Sequence, residues 1–269
     1  MRRILILTPH PDDEVVAAAA TIARARAAGD RFFGLYLTSG VPAADKMWRW
    51  DQTRRAERVA RRRTEAMAAA DLLGIEPVGF SDWPSRTLKS HLGEALGWIA
   101  AIVAQRGIDA LWVSAWEGGH QDHDVANFLA AHAGRGGPVL EFAEYNTGGG
   151  HARWQRFAVP NGSETVLQLT REEALAKRRL LAIYRSEGAN LAGVRVDVES
   201  ARPLPAYDYA RPPHDGKLSR EGFQWVGRLM LHPRVDHEPS GAVYQALQSF
   251  IDGFQSADRM RSTSRLRPI

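Results

Sequence analysis

The chain reads as a Rossmann-like, doubly wound α/β protein: a mostly parallel sheet, helices on both faces and a smaller C-terminal part. Three observations predict this. Residues 4–7 are a continuous apolar run of the kind that forms a strand buried on both faces. Residues 15–28 follow as an alanine-rich helical stretch closed by Gly29. Short strand-like and longer helix-like segments then alternate as far as about residue 145, the spacing of right-handed βαβ units.

Taken in order, residues 31–37 read as a second strand and 38–45 as a loop, with a long amphipathic helix over 51–73 ending at Gly74. A short strand at 78–80, a helix over 88–105 and a strand at 110–114 come next, then a helix over 123–133 and a strand over 139–145. Past Gly148, Gly149 and Gly150 the pattern loosens into a helix over 171–184, a proline-rich stretch over 201–214 and a last helix over 243–254. The expected division is a catalytic α/β core over 1–190 and an extension over 191–255 that packs on the core and completes the substrate site. A disordered tail over 256–269 would close the chain.

Composition narrows the chemistry. With 269 residues, 44% of them apolar, the chain can bury a sizeable core. It has no cysteine, so disulfides, thiolate metal sites and cysteine nucleophiles are excluded, and histidine and carboxylate remain as the strong metal ligands. The N-terminal apolar run is too short for a signal peptide, and no run approaches the roughly 20 apolar residues of a membrane-spanning helix. The expectation is a cytoplasmic protein with no membrane span. The net charge of +4 comes mostly from arginine, spread through helical faces such as 54–63 and the tail 259–267. Glu57 interrupts the first of these runs and Glu65 follows it on the same helix, so it reads as a solvated surface and not as a nucleic-acid site.

Two polar motifs follow predicted strands, and ligands of doubly wound sheets bind beyond the carboxyl ends of strands. After the first strand stands Thr8-Pro9-His10-Pro11-Asp12-Asp13-Glu14. Crowded carboxylates repel one another, and a divalent cation offsets that repulsion better than a helix N-terminus does. The prolines hold the backbone away from helical geometry, so His10 and Asp13 can face one metal while Asp12 points elsewhere. After the fourth strand stands Trp116-Glu117-Gly118-Gly119-His120-Gln121-Asp122-His123-Asp124. His10, Asp13 and one of its two histidines make three nitrogen and oxygen ligands, with a coordination position left open for water.

Together the two motifs resemble those of the LmbE-like, or PIG-L-like, family of zinc-dependent N-deacetylases, which carry H-P-D-D-E after the first strand and H-x-D-H further on. The resemblance covers about residues 3–190. It implies that His10, Asp13 and His123 bind zinc, that Asp12 is the general base, and that His120, oriented by Asp122, stabilises the oxyanion or protonates the leaving amine. The implied reaction is hydrolysis of an N-acyl group, in the first place N-acetyl, from an amino sugar or glycoconjugate such as an N-acetylglucosamine derivative. An amide in a thiol conjugate, a non-sugar amide, and a non-catalytic sugar-binding module are the alternatives. Another divalent ion such as Fe2+ would also suit two histidines and one aspartate.

Zinc chemistry agrees with these roles. A zinc-bound water is acidic enough for Asp12 to deprotonate, and a protonated His120, its pKa raised by Asp122, would serve as electrophile. One departure is Gly118, where some relatives carry a tyrosine that contacts the oxyanion; Tyr145, Tyr207 and Tyr209 are the substitutes to consider. Arg62 and Asp82 stand where relatives bind sugar hydroxyls and are the candidate substrate-binding residues. Trp48, Trp50, Trp83 and Trp116 are candidates for stacking on a sugar, residues 146–151 for a flap, and His214, His232 and His237 for site residues from the C-terminal part. The oligomeric state is not set by the sequence.

Overall fold

In the computed structural model, which describes residues 1–133, 137–219, 221, 239 and 241–264, the first apolar run forms β1 (Arg3–Thr8), buried from Ile4 onward. β1 pairs in parallel with β2 (Arg31–Tyr36) on one side and β4 (Ala110–Ser114) on the other. β3 (Ile75–Phe80) adds outside β2 and β5 (Val139–Phe142) outside β4, both parallel. Two antiparallel strands, β9 (Val198–Pro203) and β8 (Thr165–Gln168), complete a sheet of order β3-β2-β1-β4-β5-β9-β8.

Alternate side chains of the strands feed two cores. On one face Leu5, Leu7, Phe33 and Leu35 pack with α3 (Leu92–Arg106), α4 (Gln121–Ala133) and the final helix α7 (Ala242–Ser264). On the other, Ile4, Ile6, Phe32 and Tyr36 pack with α1 (Asp13–Ala27), α2 (Arg55–Leu73) and α5 (Arg171–Leu181). Burial on both faces is what the unbroken apolar run of β1 anticipates.

The C-terminal half departs from the sequence reading in its details. The expected strand over 139–145 breaks after Phe142. Ala143 N–H bonds to Ser200 O, and Tyr145–Asn146 (β6) turns to pair with Arg153–Trp154 (β7). The boundary at residue 190 cuts through the sheet, because β8 lies before it and β9 after it. The backbone of α7 continues through Ser264, past the expected start of a disordered tail at 256. Residues 265–269 lie outside the described residues. Among those described, no helix is long and apolar enough to cross a membrane.

Helix α1 is broken at Ala18, whose φ and ψ of −146° and 20° are not helical. The freed carbonyl of Val16 accepts Lys177 Nζ at 2.9 Å and Gln155 Nε2 at 2.7 Å, while Glu199 accepts the amides of Ala20 and Thr21 at 3.0 and 2.9 Å. Lys177 and Glu199, both fully buried, pair at 2.9 Å. The break is thus satisfied by α5, β9 and Gln155 just past β7, and it sets the direction in which the first turn of α1 points. Lys177→Ala, which leaves Glu199 buried and unpaired, is expected to cost about 3 kcal/mol or more. The double change Lys177→Met with Glu199→Gln should cost less than the sum of the single ones, as read by urea unfolding midpoints.

Candidate active site

β1 and β4 are neighbours, and the strand order reverses between them, with β2 lying beyond one and β5 beyond the other. Their carboxyl ends therefore open the crevice in which doubly wound sheets bind ligands. Both polar motifs leave the sheet here. The floor belongs to a cavity of about 700 Å³ lined by His10, Asp12, Asp13, His120, His123 and Glu144.

Three atoms converge on that floor. His10 Nδ1 lies 3.2 Å from Asp13 Oδ2, His123 Nε2 lies 3.4 Å from the same oxygen, and the two ring nitrogens are 3.3 Å apart. Ligands held at 2.0–2.2 Å around a tetrahedral ion stand about 3.3 Å from one another. The triangle thus fits a small divalent ion with one position left open. Electrostatics agree. Burial works against charged imidazoles, yet Asp13 and Asp122 hold His10 up at about 10, and Asp13 and Glu144 hold His123 up at about 9. Carboxylates that favour a positive charge this strongly also favour a dication.

Asp12 points away from this triangle. Its backbone has φ 131° and ψ −26°, a conformation an L residue rarely adopts and one that costs of order 1–3 kcal/mol. The twist sends consecutive carboxylates in different directions. Asp12 Oδ2 accepts Arg62 Nη2 at 3.0 Å, and Arg62 also contacts Pro11 O and Glu187. Arg62 is only 3% exposed, and Gly40, at φ +67°, makes room for it: a Cβ there would sit 2.8 Å from the guanidinium carbon. Burial raises the proton affinity of Asp12 well above the usual carboxylate range, with Arg62 opposing it. Arg62 is therefore a buried clamp on Asp12 that also lines the cavity, neither a surface arginine nor simply a sugar contact.

Asp122 differs from its expected place. Its Oδ2 lies 3.1 Å from His10 Nε2 but 3.8 Å from His120 Nδ1, and its carboxylate also accepts the amides of Arg86 and Leu88 at 2.5 and 3.3 Å. It supports His10 from behind. His120 Nδ1 instead accepts the backbone N–H of Asp122 at 3.1 Å, which leaves the ring proton on Nε2. Burial, followed by the charges of His10 and His123, pushes the pKa of His120 well below its usual value. The bond at Nδ1 and the lowered pKa both favour a neutral imidazole that donates through Nε2–H over the expected protonated one.

Asp82 does not join the site. Its side chain is 75% exposed and pairs with Arg63 at 3.0 Å. Of the three tyrosines, Tyr145 lines the cavity, its ring 5.8 Å from that of His123. Tyr207 hydrogen-bonds Glu141 and Tyr209 bonds Asn127, away from the floor. At Gly118 a Cβ would lie 2.6 Å from Leu218 and 3.3 Å from His214 Nε2, so the C-terminal segment fills the space where a side chain would project. His214 itself bonds Glu117 O at 3.1 Å and does not line the cavity. His232 and His237 lie outside the described residues. Trp116 packs among Tyr207, Tyr209 and Tyr244, Trp83 stacks on His91, and Trp48 stacks on Trp50, so none of the four tryptophans lines the cavity. Residues 147–150 form the β6–β7 turn, with Gly148 packed against His214, and none of these four lines the cavity.

Glu144 was not anticipated from the sequence. It is 1% exposed, with one oxygen 3.8 Å from His123 Nδ1, so each metal-facing imidazole has a carboxylate behind it: Asp122 for His10 and Glu144 for His123. The available signal was a second acid three residues after Glu141, in the otherwise apolar stretch Val139-Leu140-Glu141-Phe142-Ala143-Glu144. Ser85, 3.3 Å from His10 Nε2, and Trp154, on the cavity wall, carried no comparable signal. Asp122→Asn and Glu144→Gln keep the shape but remove the charge. Each is expected to weaken binding of a divalent ion by about tenfold to a hundredfold, measured by competition with a chromogenic chelator.

Compared by sequence with curated proteins, the chain finds no match. Its fold is that of several solved structures. A deacetylase of the teicoplanin biosynthesis pathway is 19% identical with a TM-score of 0.61, covering 77% of this chain and 99% of that one. The N,N'-diacetylchitobiose deacetylase of Pyrococcus horikoshii is 18% identical with a TM-score of 0.57, over 76% and 84%. The 4-carboxy-2-hydroxymuconate hydratase of Pseudomonas putida is 18% identical with a TM-score of 0.56, over 77% and 98%. Residues 5–134, which carry both motifs, match the model of the family described as PIG-L, GlcNAc-PI de-N-acetylase. The likeness of the two motifs is thus matched by a PIG-L-like, or LmbE-like, domain over residues 5–134.

Proposed function

We propose that the chain is a zinc-dependent N-deacylase that removes an acetyl group from the amide nitrogen of an amino sugar or glycoconjugate. The observation that carries this reading is Asp12. It is a buried carboxylate turned away from a three-donor metal triangle at the cost of backbone strain, and a purely structural metal site has no use for it. The family match supports amide hydrolysis, as do similar folds among deacetylases of teicoplanin and of diacetylchitobiose.

His10, Asp13 and His123 would hold the ion, which when bound supplies Lewis acidity toward the amide carbonyl and makes the attacking water more acidic. Asp12 accepts a proton from that water as its oxygen bonds to the acyl carbon, and a proton affinity above the usual carboxylate range suits this task near neutral pH. His120 Nε2–H donates toward the oxygen on which negative charge develops, and a neutral imidazole can serve as such a donor. Tyr145 is the second candidate donor, in the role left vacant at Gly118. As the C–N bond breaks, Asp12 returns its proton to the leaving nitrogen, giving a free amine and a carboxylate. Arg62 fixes the rotamer of Asp12 and restrains its proton affinity.

Release of primary amine from N-acetylglucosamine glycosides tests the reading, with thiol conjugates and simple acetamides as comparison substrates. Chelation should abolish release and zinc should restore it. Asp12→Asn should cost about 10²–10⁴-fold in kcat while the ion stays bound. Full activity in that variant would show that Asp12 is not the base. Asp12 acts when deprotonated, and Arg62 holds its proton affinity down. Arg62→Gln should therefore move the acidic limb of the kcat/KM profile to higher pH, whereas Arg62→Lys should leave it closer to the original.

A further inference from the structure

One wall of the cavity is basic, and the deacylase mechanism makes no use of it. Arg54, Arg58 and Arg61 all line the cavity. Their spacing of four and then three residues places them on one face at the start of α2. Two acids of the same wall, Asp51 and Glu57, face these three cations. Glu57 is shared, lying 3.3 Å from Arg54 Nε and 3.1 Å from Arg61 Nη2, and Asp51 stands 3.8 Å from Arg58, beyond hydrogen-bond reach. Each guanidinium carries five N–H donors, and Glu57 accepts one from Arg54 and one from Arg61, so most of the donors on this wall remain for a ligand. The side chains are 60%, 36% and 54% exposed, so they are accessible to a ligand.

The floor is different, with the carboxylates of Asp12, Asp13 and Glu144 buried there beside His10 and His123. A substrate with an anionic arm has one favourable orientation in such a cavity, arm on the α2 wall and amide over the floor. We propose that the Arg54, Arg58 and Arg61 wall is a subsite for an anionic group, phosphate or carboxylate, carried by the part of the substrate beyond the acetamido sugar. This rests on the reading of the cavity as an amide-hydrolysing site. Guanidinium suits it, because two parallel N–H donors match two oxygens of a phosphate or carboxylate.

The test compares three acetamides on the metal-loaded protein: methyl N-acetylglucosaminide, which is neutral, N-acetylglucosamine 1-phosphate, and the carboxymethyl glycoside. The readout is the ratio of kcat/KM for each anionic compound to that for the neutral one, taken within each protein, so partial loss of folded enzyme cancels. The expected ratio is about tenfold or more, shrinking as salt is raised, and close to one in the triple variant Arg54→Gln, Arg58→Gln, Arg61→Gln. A preference confined to phosphate, or to carboxylate, supports the subsite and names its ligand. A ratio near one in the unaltered protein, or one that survives the triple change, overturns the subsite and leaves the deacylase reading standing. Should no compound release amine, the deacylase reading fails. Calorimetric binding of the same three compounds then decides the subsite alone: tighter anion binding lost in the triple variant supports it, and equal binding overturns it.

Discussion

Four carboxylates, those of Asp12, Asp13, Asp122 and Glu144, are buried around the carboxyl ends of β1 and β4, and the surrounding structure is arranged by how each is compensated. An unpaired buried ion costs several kcal/mol even after relaxation, so none can be left alone. Asp13 faces two imidazoles and accepts the amide of His10 at 2.7 Å. Asp122 takes two backbone amides and His10. Asp12 takes Arg62, and Glu144 lies against His123. Asp12 and Asp13 are adjacent in the chain, so only a backbone twist can give them separate partners. The positive φ at Asp12 provides it, and Gly40 and Arg62 are shaped to the result.

The twist needs a rigid frame, and the topology supplies one. β1 lies between β2 and β4, and the break at Ala18 lets the first turn of α1 leave the sheet at its own angle. Lys177, Gln155 and Glu199 meet the backbone groups freed by that break, so residues more than a hundred positions away help to aim Asp13. This long-range dependence explains why the antiparallel strands β8 and β9 are continuous with the site-bearing half of the sheet.

The parallel half of the fold was legible in the sequence because its signals are local. An apolar run of strand length, helices closed by Gly29 and Gly74, and polar motifs directly after two strands need no knowledge of distant contacts. The cluster of His10, Asp13 and one of the two later histidines was legible for the same reason, while the choice of His123 came from the family resemblance. What escaped was what long-range contacts decide. Asp122 and His120 are two residues apart, yet burial turned the Asp122 side chain toward His10 and left His120 with a backbone amide. Arg62 looks like one more cation in an arginine-rich helix until its burial beneath Gly40 is known. Glu144 sits two residues past the end of β5, where the path of the chain depends on Ser200, a partner that sequence spacing cannot reveal.

The fold alone does not choose the reaction, since similar structures include deacetylases and a hydratase. These activities share a step in which water is made nucleophilic, and a buried base beside a metal triangle serves any such step. Amide hydrolysis asks for more: the leaving nitrogen must receive a proton. A carboxyl group whose burial raises its proton affinity can hold that proton between the two half-steps, which a freely ionised surface carboxylate does poorly at neutral pH. On the proposed reading Asp12 is placed for this by its burial, and Arg62 would keep the proton from being held so tightly that the base is never regenerated. The balance between desolvation and one guanidinium thus sets whether the floor can both take a proton and return it, and the walls above decide which amide is presented.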